Sequence, residues 1–167
     1  MKYRLEDICI LRNKKTNIAN LTTENYISTE NMLSNKSGKV RATSLPNVKV
    51  TQSYEKGDIL VSNIRPYFKK IWKADVNGGC SNDVLVFSVK ENIDRDFLYY
   101  ILSDDAFFEY AMATSKGTKM PRGDKKAIMQ YEIPCYNIEI QKKISSVLKC
   151  IDEKIELNNA INNNLAA

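Results

Sequence analysis

Between Lys116 and Lys126 the chain gathers Lys116, Lys119, Arg122, Lys125 and Lys126 against a single acid, Asp124. Cations at this density can neutralise phosphates and release the counterions those phosphates hold. Gly117 and Gly123 in the same stretch allow a backbone to come close to a ligand. Arg122 and Lys119 also have the donors that fit guanine edges in a major groove. For an arbitrary protein the plainer alternative is a solvated basic loop. A second cluster, Arg65-Pro66-Tyr67-Phe68-Lys69-Lys70-Ile71-Trp72-Lys73, holds four cations, no acid and three aromatic rings. In an extended strand Arg65, Tyr67, Lys69 and Lys73 would share one face, and Phe68, Lys70 and Trp72 the other. Basic and aromatic residues interleaved in this way suit a nucleic acid. It is equally consistent that Phe68 and Trp72 are core and that the lysines cover the surface.

Catalytic constellations are sparse. With no histidine in the chain, serine–histidine and cysteine–histidine nucleophile systems are excluded. There is no Walker-type phosphate loop, no G-x-G turn after a strand, and no D/N-P-P-Y motif; Ile64-Arg65-Pro66-Tyr67 is only superficially like the last. Asp124-Lys125-Lys126 and Asp152-Glu153-Lys154 have the local spacing of a metal-dependent nuclease, but neither follows an acidic strand. Cys9, Cys80, Cys135 and Cys150 are far apart and form no C-x-x-C pair, so buried reduced thiols are expected rather than zinc ligands. The expectation is a non-enzyme with no catalytic residue and no bound metal.

The elements that must hold these clusters can be read from composition and period. The chain has 167 residues, enough for one cored domain and an appendage. No apolar run reaches the length of a membrane span, and the N-terminus lacks a signal-peptide core; a soluble, cytoplasmic protein is expected. The net charge is +5. From residue 137 onward Lys142, Lys143, Lys149 and Lys154 balance Glu139, Asp152, Glu153 and Glu156, so the surplus lies in residues 1–136 and suggests a polyanion partner for that part. Residues 22–47 are polar and loop-like, with a short strand at Tyr26-Ile27-Ser28. Strands are predicted from Ile59 to Ile64 and from Asp83 to Val89, where β-branched and apolar residues concentrate. A resumed strand is predicted over Tyr67–Val76 and a turn at Asn77-Gly78-Gly79. Asp94 caps a predicted helix carrying Phe97, Leu98, Ile101 and Leu102. A second helix carries Phe107, Phe108, Ala111 and Met112. Asp124 caps a short helix to Gln130, and Tyr131-Glu132-Ile133 forms a last strand.

After Pro134 the pattern changes. Ile144, Leu148, Ile151, Ile155, Asn158, Asn162 and Leu165 alternate spacings of four and three, the seam of a heptad helix. Such a seam can be buried on its own domain or on a second helix. Asn158 and Asn162 at seam positions favour the second helix, because buried asparagine selects register and partner. From Glu139 to Leu165 the helix would span about 40 Å at ~1.5 Å per residue, on the order of ten base pairs at about 3.4 Å each.

These pieces, in this order, are similar to one family. Lys56-Gly57-Asp58-Ile59-Leu60-Val61-Ser62 and Cys80-Ser81-Asn82-Asp83-Val84-Leu85-Val86 resemble the two signature strands of Type I restriction–modification specificity subunits. Phe97-Leu98-Tyr99-Tyr100-Ile101-Leu102 resembles the helix that follows. Gly117-Thr118-Lys119-Met120-Pro121-Arg122 with Lys125-Lys126 resembles the basic loop and short helix of the target-recognition domain. Ile133-Pro134, Ile140 to Ile144, Leu148, Ile151 to Ile155 and Asn158 resemble the start of the spacer helix. The chain departs from the pattern in having Cys135-Tyr136-Asn137 where the family has more proline. It also has one recognition domain and one spacer helix where the usual subunit has two of each, as a natural half-subunit or a fragment would.

The resemblance implies an α+β fold: a compact mixed α/β target-recognition domain over 1–136, then one long coiled-coil-type helix over 137–167. It implies DNA contact by Lys116, Thr118, Lys119, Arg122, Lys125 and Lys126, joined by Arg65, Lys69 and Lys70. The partners it implies are double-stranded DNA, modification (methyltransferase) subunits, a restriction subunit, and a second copy or half-subunit paired antiparallel along the helix, with no membrane. No cofactor belongs to this chain; S-adenosylmethionine, ATP and Mg²⁺ are expected on partner subunits. Two other readings stay open. One is a scaffold or anti-restriction decoy that binds the modification subunit without reading DNA, the other a stand-alone nuclease using Asp124.

Overall fold

The computed structural model describes residues 2–165. In chain order its elements are β1 (Lys2–Arg4), α1 (Leu5–Ile8), β2 (Cys9–Leu11), β3 (Lys15–Asn17), β4 (Tyr26–Ile27), β5 (Val50–Tyr54), β6 (Ile59–Ser62), β7 (Ile71–Lys73), β8 (Gly78–Cys80), β9 (Val84–Val89), α2 (Arg95–Ser103), α3 (Asp105–Ala113), α4 (Lys125–Met129), β10 (Glu132–Pro134) and α5 (Ile138–Leu165). Short 3₁₀ turns occupy Ile18–Asn20 and Pro66–Phe68. The fold is mixed α/β with a long C-terminal helix.

The strands form three sheets. The central one, β2-β9-β6-β7, is antiparallel; a second runs β3-β5-β8-β4, with β4 and β8 parallel; β1 and β10 make a separate antiparallel pair. The continuous apolar runs of β6 and β9 follow from their being covered on both faces. Successive side chains of a strand point to opposite sides. Ile59, Val61, Leu85 and Phe87 therefore face a core shared with Leu98 and Leu102 of α2 and Phe107 and Phe108 of α3. Leu60, Val84 and Val86 face a second core with Ile27, Met32, Tyr54 and Cys80. The two helices at 95–113 are begun by aspartates: Asp94 accepts from Phe97 N and Asp104 from Ala106 N.

Two local expectations are corrected. Gly78 and Gly79 are not a turn but most of β8, hydrogen-bonded between β5 and β4. Glycine is required there because a Cβ on Gly78 would run into the Asn25 carbonyl and the Tyr54 ring, and one on Gly79 into Leu21. The strand expected over 67–76 is interrupted. Arg65 and Lys69 adopt left-handed backbone, Pro66–Phe68 is a tight turn, and only Ile71–Lys73 pairs with β6. Proline fixes its own φ and cannot donate to a ladder, so the chain turns before the sheet resumes. Of the four free thiols Cys9 and Cys80 are buried as expected, but Cys135 is only partly so and Cys150 is exposed on α5.

Candidate nucleic-acid interface

The basic loop is tied at its base. Lys116 and Arg122 exchange backbone hydrogen bonds, each N–H to the other's carbonyl at 2.9 Å. Gly117, at φ +90, makes the bend that this closure needs. Thr118, Lys119 and Met120 are left at an exposed tip. On the far side Asp124 starts α4, its Oδ1 accepting from Lys126 N at 2.9 Å and Ala127 N at 3.2 Å. Its Oδ2 lies 2.6 Å from Lys116 Nζ. The Lys116 ammonium and then these two N–H groups hold the Asp124 carboxyl below its ordinary range.

The loop is also fixed to the end of β6. Arg65 N donates to Pro121 O at 2.8 Å, and Gly123 N to Asn63 O at 3.2 Å. Ile64 and Arg122 pair as an antiparallel bridge. Gly123 is buried, and a Cβ there would come 2.7 Å from both Asn63 Oδ1 and Ile128 Cδ1, so the glycine permits the close seat. The structure thus brings the two basic segments of the sequence side by side, although the chain between them makes β7, β8, β9, α2 and α3.

Within that frame the cations differ. Arg122 points its Nη2 at Asp83 Oδ1, 3.0 Å away. Lys119, Lys125 and Lys126 are exposed and enter no ion pair among the described residues. Lys69 pairs with Asp105 at 2.8 Å. Lys70 donates to the Thr29 carbonyl at 2.6 Å and lies 5.7 Å over the Phe68 ring. Arg65 is half-buried, and its Nε and the nearby Asn63 Oδ1 are buried side-chain atoms with no hydrogen-bond partner among the described residues.

Some residues at the site carried no signal in the sequence. Asp83 sat inside an apolar strand motif, and its pairing with Arg122 joins distant parts of the chain. Lys15 of β3 donates to Asn82 Oδ1 at 3.3 Å, one residue before Asp83 in the chain. A cleft of about 410 Å³ with mixed polar and apolar walls reaches Asp83, lined by Tyr26, Ser28–Asn31, Val40–Ser44, Pro46, Ser81 and Asp83. The Asn-, Ser- and Thr-rich composition of 22–47 was the one available hint of it.

The long helix has two neighbouring faces. One docks on α2. Gln141, 2 % exposed, accepts from Asp94 N at 3.0 Å and donates to Tyr136 O at 2.7 Å. Ser145 is buried, and Tyr100 OH donates to Asp152 Oδ2 at 2.8 Å. The heptad seam lies on the adjacent face. Ile144 and Leu148 are half-buried, Ile151 and Ile155 are 50 % and 53 % exposed, and Asn158 and Asn162 are exposed. The Leu165 side chain lies outside the described residues. Among the described residues no helix is long and apolar enough to cross a membrane.

Known proteins of similar sequence and fold bear on this arrangement. The family model described as "Type I restriction modification DNA specificity domain" matches residues 1–167. The EcoDI specificity subunit of Escherichia coli is 28% identical over 111 residues, covering 63% of this chain and 24% of that protein. The HindI specificity subunit of Haemophilus influenzae is 28% identical over 148 residues, covering 84% of this chain and 32% of that protein. The fold is similar to that of the HsdS subunit from Thermoanaerobacter tengcongensis, with a TM-score of 0.72 at 19% identity over 93% of this chain and 43% of that one. The chain therefore spans about a quarter to a third of the curated relatives it matches.

Proposed function

The chain belongs to the Type I restriction modification DNA specificity domain family, and from that premise we propose that it reads a DNA sequence on behalf of partner subunits that methylate and cleave. The observation that carries the reading is the tethered basic loop: exposed ammonium groups on Lys119, Lys125 and Lys126 beside a guanidinium already aimed by Asp83. Exposed lysines suit phosphate contact, which fixes position; a guanidinium held in one orientation suits base contact, which specifies. Residues 1–136 act as the reading domain and residues 137–167 as the spacer. Arg65 borders the loop and Thr118 lies at its tip, and both contribute to the same surface. Lys69 and Lys70 shape it through Asp105 and Thr29. S-adenosylmethionine, ATP and Mg²⁺ belong to the modification and restriction subunits.

The exposed seam of α5 pairs with a second helix, from another copy or a second half-subunit, and the pair holds two reading heads at a fixed separation. A helix cannot leave Ile151, Ile155 and the nearby Val147, 61 % exposed, in water without losing roughly 25 cal/mol for each Å² of apolar surface that a partner would cover. Two-fold pairing of like domains gives a bipartite target whose gap follows helix length.

The test is selection from a random duplex pool by the purified chain at two salt concentrations, with its mass measured in parallel. Two short half-sites at fixed spacing, enriched by a dimer, are expected. Lys119→Ala, Lys125→Ala and Lys126→Ala should each weaken binding across sequences and lower the salt slope by about one. If the chain enriches no sequence yet captures a modification subunit through α5, it is an assembly scaffold or decoy and the reading role is wrong.

A further inference from the structure

One part of the surface is not explained by phosphate contact. Tyr67 and Phe68 are 49 % and 38 % exposed, and their rings lie 4.7 Å apart as a tilted pair. Trp72, from the same basic–aromatic segment, turns inward instead and meets Tyr54 edge to face. The two exposed rings stand on an expensive turn. Arg65 at φ 50 and Lys69 at φ 51 bracket it in left-handed backbone that side-chain-bearing residues avoid, and Pro66 lies between them. Backbone held in such a conformation points to a functional demand at that place.

The turn is also clamped. The Phe68 and Lys69 carbonyls accept from Asn35 N at 2.9 Å and Lys36 N at 2.8 Å. Lys36 and Lys69 share the Asp105 carboxylate. Arg65 N anchors the other end to Pro121 of the basic loop. Two apolar rings are therefore presented rigidly, beside the phosphate-binding loop, with Lys36, Arg65, Lys69 and Lys70 around them and Asp105 paired within the cluster. An apolar tip in a cationic rim fits a polyanion whose interior is apolar and stacked, namely duplex DNA.

We propose that the Tyr67–Phe68 turn is an aromatic wedge that enters the base stack of bound DNA and opens one step. Side chains used in this way partly unstack a step and kink the duplex, and aromatic stacking on a base tolerates any sequence. The wedge marks where the duplex is opened; the basic loop decides which duplex that is. This inference rests on the DNA-reading role proposed above.

The experiment uses the full chain and the duplex it enriches from the random pool, with 2-aminopurine placed at successive positions. Fluorescence should rise at one step on binding. Tyr67→Ala with Phe68→Ala should abolish that rise and weaken binding about tenfold, with the salt slope unchanged because the phosphate contacts remain. Phe68→Leu, which keeps an apolar wedge on the turn, guards against misfolding and should retain most of the affinity and part of the fluorescence rise. Enrichment with no rise at any position, or a double variant equal to the parent, overturns the wedge and leaves the reading role standing. A double variant that binds DNA normally but no longer captures a modification subunit assigns the rings to a protein surface and likewise overturns it. Absence of any enriched duplex removes the reading role itself, and the wedge with it.

Discussion

The guanidinium of Arg122 lies 3.0 Å from the carboxylate of Asp83, across the junction of the basic loop and the start of β9. Both side chains are substantially exposed, 56% and 38%, so the pair adds under about 1 kcal/mol to stability. Its consequence is aim. Arg122→Ala should cost about 1–3 kcal/mol on the preferred duplex and relax one target position. Asp83→Asn should leave the cation but loosen it, with a smaller loss at the same position. Selection profiles of the two variants check this; a weaker but unchanged profile for Arg122→Ala would place that side chain on a phosphate.

The two faces of α5 should separate under mutation. Tyr100→Phe removes the hydrogen bond to Asp152 and should lower stability by about 1 kcal/mol with the solution mass unchanged. Ile151→Asp, on the exposed seam, should leave the melting temperature of a single chain intact and dissociate the pair. Replacing Asn158 and Asn162 with leucine should tighten pairing while altering stoichiometry or half-site spacing. Analytical ultracentrifugation reads the mass of each variant, thermal unfolding its stability, and duplex selection the half-site spacing. A pair that survives Ile151→Asp shows that another surface holds it.

Thiol chemistry should divide the cysteines. Burial pushes the Cys9 and Cys80 thiols up to about 12, and both are inaccessible in the core. Native alkylation near pH 8 should label Cys150 first and spare Cys9 and Cys80 until the chain unfolds. Intact-mass time courses read the order directly, and early labelling of Cys80 would contradict the second core.

Acid should release the clamp under the Tyr67–Phe68 turn. Hydrogen bonds from Lys36 and Lys69 pull the Asp105 carboxyl down to about 2. A depressed folded value means the contribution is complete above the ordinary carboxylate value of roughly 4 and fades as pH falls from there toward 2. Amide protection at Asn35 and Lys36, whose N–H groups hold the turn, should persist at pH 5 and decline in that lower window. Asp105→Asn should remove the pH dependence; protection unaltered down to pH 2 in the parent would mean Asp105 is not what holds the clamp.

What could be read from the sequence depended on how local its cause was. Ile59–Ser62 and Val84–Val89 were legible because strands buried on both faces need apolar residues throughout, and α2 and α3 because Phe97, Leu98, Ile101 and Leu102, and then Phe107, Phe108, Ala111 and Met112, recur at helical spacing. The basic loop was legible as a cluster of charge. Gly78-Gly79 misled because glycine signals a turn and a crowded strand equally, and only the Asn25 carbonyl and Leu21 opposite distinguish them. Pro66 signalled an interruption, but the left-handed Arg65 and Lys69 around it depend on the hairpin at Asn35 and Lys36. Gln141 carries no sign of burial in the sequence and is nearly sealed, since the backbone of Asp94 and Tyr136 satisfies its amide. Asp83 and Arg122 meet only after the whole domain has closed.

The pairing of β1 with β10, Tyr3 opposite Ile133, joins the first strand of the fold to its last, just before α5 departs. The domain is thus a loop of chain fastened at its own neck. Ile133 also belongs to the main core and Tyr3 packs against it, so only chain added on the α5 side of that neck leaves both cores untouched, and a second such domain can be appended there without threading through the first. In topological terms both ends of the domain leave from one place, so whatever α5 joins it to is set by this single two-stranded neck.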